Sequence, residues 1–146
     1  MERTTILQLR PSYCKPFSSN HQPYAYVLLC SFLARLLRVS PEVRGRLGTS
    51  FQQCCQERVG QPGDALALAM RIICCLEYGV DVGRDALTLR EMQAVDGGWN
   101  DGWLYKYPSA GLSFANRGLT TALAVKALKV HFAFVDWCTR ADWRRR

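Results

Sequence analysis

Residues with usable chemistry crowd into one stretch, Gln93 to Thr121. Gln93 is a long amide near an expected helix end, able to donate to carbonyls left unpaired there. Asp96-Gly97-Gly98 is turn chemistry. The carboxylate accepts from nearby backbone N–H groups, and the glycines permit positive φ and close chain approach. Trp99 then offers a large flat face, placed to pack on the Gln93 amide. Asp96 is also the one candidate, a weak one, for a catalytic proton donor. That role needs a carboxyl kept protonated by an apolar setting, whereas Asp-Gly by itself points to a turn cap. Trp103, Tyr105 and Tyr107 can line a pocket for an apolar substrate, although loop aromatics more often pack over helix ends. Asn116-Arg117 stands before a helix and can meet an anion. A surface arginine, or an ion pair to Asp96 or Asp101, is the plainer reading.

Outside this stretch the chemistry thins. His131 sits in an apolar helical run and reads as a packed core residue. The seven cysteines (Cys14, Cys30, Cys54, Cys55, Cys74, Cys75 and Cys138) include no C-x-x-C pair. Two pairs are sequence neighbours, which do not staple loops, so reduced and mostly buried thiols are expected. A zinc site wants spaced Cys and His ligands, and only His21 and His131 are on offer. No metal and no cofactor are expected.

The elements that must position these residues are helical. Pro11, Pro16, Pro23 and a polar run from Ser18 to Gln22 make residues 1–23 an irregular entry. From Tyr24 the chain is apolar nearly all round until Pro41. Ser40-Pro41 starts a helix over 41–59 that is apolar on one side only, at Val43, Leu47, Phe51, Cys54, Cys55 and Val59. Asp64 caps a helix from Ala65 to Tyr78, again apolar all round and stopped by Gly79. A shorter one spans Asp81 to Gln93, with Val82, Ala86 and Leu89 inward and Arg84, Asp85, Arg90 and Glu91 outward. A long loop over 96–118 leads to a last helix, Leu119 to Val135, with Lys126 and Lys129 as its wet stripe. No alternating strand signal appears. Helices apolar all round must be covered all round, so the alternation predicts two layers of antiparallel helices, inner and outer.

The 146 residues suffice for one ordinary domain, and the 49% hydrophobic content excludes a disordered chain. No uninterrupted run of about 18 apolar residues exists, so no membrane span is expected, and Met1 to Arg10 lacks the apolar core of a secretory signal. The net charge of +7 lies in the flanks. Residues 1–60 carry eight Lys/Arg against three Glu, residues 61–134 seven against seven, and residues 135–146 four Arg against two Asp. Basic residues are sparse except Arg144-Arg145-Arg146, so no nucleic-acid partner is expected.

Gln93-x-x-x-Gly97-x-Trp99 resembles the QW motif of the squalene–hopene and oxidosqualene cyclase families, and Gln93-x-x-Asp96-Gly97-Gly98-Trp99 resembles the prenyltransferase/squalene-cyclase repeat of the α/α-toroid superfamily. The run Leu119 to Leu128 is similar to the inner helix that follows such a repeat. The resemblance covers about residues 86–128, extending toward 62. It implies an all-α fold, a partial α/α toroid of about five helices around an apolar cavity. Gln93, Asp96, Gly97, Gly98 and Trp99 would be structural ties, and the cavity would take an isoprenoid or triterpenoid whose cations aromatic faces stabilise. The Asp-x-Asp-Asp acid of class II cyclases and the Asp-Asp-x-x-Asp/Glu of class I enzymes are both absent from the sequence.

The expectation is an irregular segment at 1–23, a partial toroid domain at 24–135 and a basic tail at 136–146. The function implied is that of a terpenoid cyclase-like, isoprenoid-binding protein or fragment without a complete catalytic centre, an isoprenoid cyclase if active. A non-catalytic helical interaction module and a prenyltransferase β-subunit-like fragment are the alternatives. A partner chain completing the toroid, and a cytoplasmic or peripheral membrane location, follow as further expectations.

Overall fold

The computed structural model describes residues 32–100, 102–107 and 112–143, with backbone only for 103–107, 112–114 and 141–143. The expected irregular segment 1–23 lies outside these residues, as do 24–31 of the first helix and 144–146 of the tail.

Helix α1 is described over 32–39, and it buries Ala34 and Leu37. Ser40 ends it and opens the next helix, its hydroxyl accepting from Val43 N at 3.4 Å. With its cap and Pro at the first turn, α2 runs Pro41–Arg58. It turns Phe51 and Cys55 into the core, with Val43, Leu47 and Val59 partly buried beside them. Arg44 Nε donates to the Leu37 carbonyl at 2.9 Å and ties α2 back to the end of α1.

Helix α3, Ala65–Leu76, is the centre of the molecule. Asp64 caps it by accepting from Ala67 N at 2.9 Å, and Gly79 at φ 67° turns the chain away after it. Nine of its twelve residues are buried, so the all-round apolar pattern is met by all-round cover. Helices α2, α4 (Gly83–Glu91) and α5 (Arg117–Trp143) all pack on it, α5 most extensively. Along α5 the seam is Thr120, Ala124 and Ala127, all fully buried at i, i+4, i+7. Small side chains there let the two helices approach closely.

The molecule is mostly helical, and it departs from the sequence expectation in four places. The 96–118 segment, read as loop without strand signal, contains a hairpin of β1 (Trp103–Tyr107) and β2 (Leu112–Ala115). Tyr105 pairs with Phe114 and Tyr107 with Leu112, with an irregularity between Trp103 and Tyr105. The pairing satisfies backbone groups that no β-branched run announces. The last helix does not stop at Val135 but continues to Trp143, because nothing in Asp136 to Trp143 breaks it. Nor is it covered on all sides: Leu119, Val125, Val130, Phe132, Val135 and Trp137 are exposed. Finally, the stretch Arg117–Arg140 is long and apolar enough to cross a membrane by length and composition, although two lysines interrupt it. Only 17% of its apolar window is buried.

Candidate functional site

The site is assembled where α4 ends and α5 begins. The chain leaves α4 at Met92 and folds back on itself within seven residues. Ala94 N donates to the Gly98 carbonyl at 2.8 Å, Gly97 N to the Ala94 carbonyl at 2.9 Å, and Gln93 bridges Trp99 in antiparallel register. Gly97 sits at φ 84°, a conformation that side-chain-bearing residues rarely adopt. The Gln93 side-chain amide donates to the Gly97 carbonyl at 2.8 Å, so it closes the turn instead of reaching back to the helix end as expected. Trp99 does the latter: its Nε1 donates to the Leu89 carbonyl at 2.7 Å, with the residue only 2% exposed. The two roles are divided because the indole is long enough to reach α4 across the turn while the amide stays within it.

From the other side, α5 holds the turn by its first residues. Asn116 caps the helix, its side-chain oxygen accepting from Leu119 N at 2.8 Å. Thr121 Oγ1 accepts from Trp99 N and Thr120 Oγ1 from Gly102 N, each at 3.1 Å. Arg117 places one guanidinium nitrogen 2.6 Å from both Asp96 oxygens. Gly98 permits this approach, since a Cβ there would lie 2.7 Å from that nitrogen. Gly102 has no room for one either, its place being taken by Leu66 of α3. Thr120 and Thr121 were not singled out as site residues from the sequence. Their signal was position, two hydroxyls in the first turn of a helix, where side-chain oxygens commonly serve backbone donors.

Asp96 faces water. Its Oδ1 accepts from Gly98 N at 3.1 Å, and Arg117 together with that N–H holds its carboxyl below the usual carboxylate range. A proton donor in an apolar cavity needs the opposite shift. Asp96, Gly97, Gly98, Arg117, Gly118 and Thr121 line an open cleft of about 450 Å³ at the surface. Trp103, Tyr105 and Tyr107 all lie on β1, directly after the turn, and their side chains fall outside the described residues, as does Asp101.

A second polar cluster sits at the N-terminal end of α4. Asp85, expected on the outer face, is 1% exposed. It accepts from Arg71 Nε at 2.7 Å, from Arg71 Nη2 at 3.0 Å and from Gly60 N at 2.9 Å, while Arg71 also donates to the Gln61 carbonyl. The cluster ties three segments together. Cys55 and Cys75 are both buried, the Cys75 thiol lying 3.8 Å from the Cys55 carbonyl, and the neighbouring Cys75 thiol and burial push the Cys55 pKa up. They are inert positions for chemistry. His131 is half-buried in α5 beside the Phe132 ring. Among the described residues, no group of three or more His, Cys, Asp or Glu side chains can hold a metal ion.

Part of the chain is related to a terpenoid cyclase. A stretch of 73 residues, 50% of this chain, is 51% identical to drimenol cyclase drtB of Aspergillus calidoustus. The match spans 14% of that relative's length. No protein-family profile matches the chain, and no solved structure matches it.

Proposed function

We propose that this chain is a segment of a terpenoid cyclase-like, isoprenoid-binding domain, in which the Gln93–Trp99 turn is a QW-type tie between helices of an α/α toroid. The observation that carries the reading is that turn. Gln93 closes it, Trp99 locks it to α4, and Thr121 locks it to α5. Motif residues so placed hold helices in register and do no chemistry themselves. The 51% identity to a drimenol cyclase over half the chain supports the same reading independently.

In this reading α3 and α5 are neighbouring inner helices and α4 an outer one. The aromatic residues Trp103, Tyr105 and Tyr107, which follow the tie on β1, are the candidates for lining the isoprenoid site. A further chain or repeat completes the toroid and brings the acid that Asp96, ion-paired in water, does not supply. The chain therefore binds without turning over. Thermal denaturation with polyprenyl diphosphates and with squalene tests this. A raised midpoint with no product by mass spectrometry is expected, and an unchanged midpoint with every isoprenoid overturns it.

A further inference from the structure

A second apolar stripe runs along α5 beside the one that packs on α3. Val125, Leu128, Phe132, Val135 and Thr139 stand at i, i+3, i+7, i+10 and i+14. That alternating three–four spacing keeps one side of a helix turned toward a partner helix. The stripe lies about 90° round the helix from the Thr120–Ala127 seam, so α3 does not cover it. Val125 is 38% exposed, Phe132 54% and Val135 45%. Trp137 falls outside the stripe, nearly opposite on the helix.

Charge selects the occupant. Lys129 follows Leu128 and Asp136 follows Val135, so both border the stripe on the edge away from α3. A second copy laid antiparallel, with Phe132 opposite Val135 of the second copy, brings Lys129 of each copy beside Asp136 of the other. Two ion pairs then form about one two-fold axis. The same register sets Leu128 against Thr139, so each layer puts a larger side chain against a smaller one. A parallel pair would stack Phe132 on itself and give Lys129 no acidic neighbour. Asp136 also meets Arg140 within its own helix. That pair is exposed on both sides and adds little, and a carboxylate accepts from more than one cation. Pairing need not nucleate the helix, because packing on α3 already forms it.

We propose that α5 pairs with α5 of a second copy, antiparallel along the Val125–Thr139 stripe. The proposal stands apart from the isoprenoid reading, since it uses neither the turn nor the hairpin. Sedimentation equilibrium of the whole chain tests it, and a reversible dimer is expected. Lys129→Asp or Asp136→Lys alone sets like charges together twice and should weaken the dimer about tenfold. The two together exchange the charges, so the double variant should return to within about threefold of the unaltered chain. Phe132→Ser should weaken the dimer at least about tenfold. Circular dichroism should stay unchanged in every variant, because all three side chains are exposed. A monomer at every concentration overturns the proposal and leaves the stripe to a different chain or to lipid. A dimer that these substitutions leave intact overturns it too, and so does a double variant that recovers nothing of what each single change loses.

Discussion

At the residue scale the informative feature is a division of labour inside one short turn. Gln93, Trp99 and Thr121 each satisfy a different backbone group, and two of those groups, the Leu89 carbonyl and Trp99 N, lie away from water where an unmet partner is costly. Asp96 adds a charge-assisted brace from outside. Its folded pKa is depressed, so the stability it contributes is present above the unfolded carboxylate value, about 4, and is lost as the pH falls through the folded value. The carboxyl carbon of Asp96, followed by NMR, should therefore titrate below its ordinary value. In Arg117→Gln it should move back toward that value. An unshifted Asp96 in the unaltered chain would mean the ion pair does not persist in solution.

The lesson at the scale of elements comes from α5. Its inward seam of Thr120, Ala124 and Ala127 admits no larger side chain, because α3 lies directly against it. Ala127→Leu should cost about 1–3 kcal/mol through overpacking. Val125→Leu, two residues away and exposed, should stay within about 0.5 kcal/mol. Urea denaturation midpoints distinguish the two, and equal effects would show that the seam is loose. The same helix shows how far its sequence could be read. The apolar positions from Leu119 to Val135 were legible, and so was the wet stripe of Lys126 and Lys129. Which apolar positions are covered was not, because periodicity reports a residue's type and says nothing about the presence of a neighbour.

At the scale of the whole molecule, the Arg71–Asp85 pair is a buried tie between segments outside the apolar core. It joins α3, α4 and the segment at Gly60–Gln61, and both side chains are largely removed from water. Asp85→Ala leaves the Arg71 guanidinium without its carboxylate and exposes Gly60 N to the loss of its acceptor. Removing one partner of a buried pair typically costs about 3–5 kcal/mol, and thermal or chemical denaturation should read a loss of that order. A loss below about 1 kcal/mol would place the pair in water. Asp85 also marks a limit of one-dimensional reading. An aspartate in the first turn of an amphipathic helix looks solvated, and only partners distant in sequence, Arg71 and Gly60 N, make its burial tolerable.

The amino-acid sequence by itself determined the helices α2 to α4 and their caps at Ser40 and Asp64, because capping and hydrophobic periodicity are local. It also determined that the Gln93–Trp99 stretch is a turn, since Asp-Gly-Gly carries its own backbone preference. The tertiary structure alone decided the hairpin after that turn, the burial of Asp85, the continuation of α5 to Trp143 and the exposure of its apolar second half. Each of these depends on what stands opposite a residue in space: a partner strand, a guanidinium, or, in the case of α5 beyond Leu128, the lack of a covering element among the described residues.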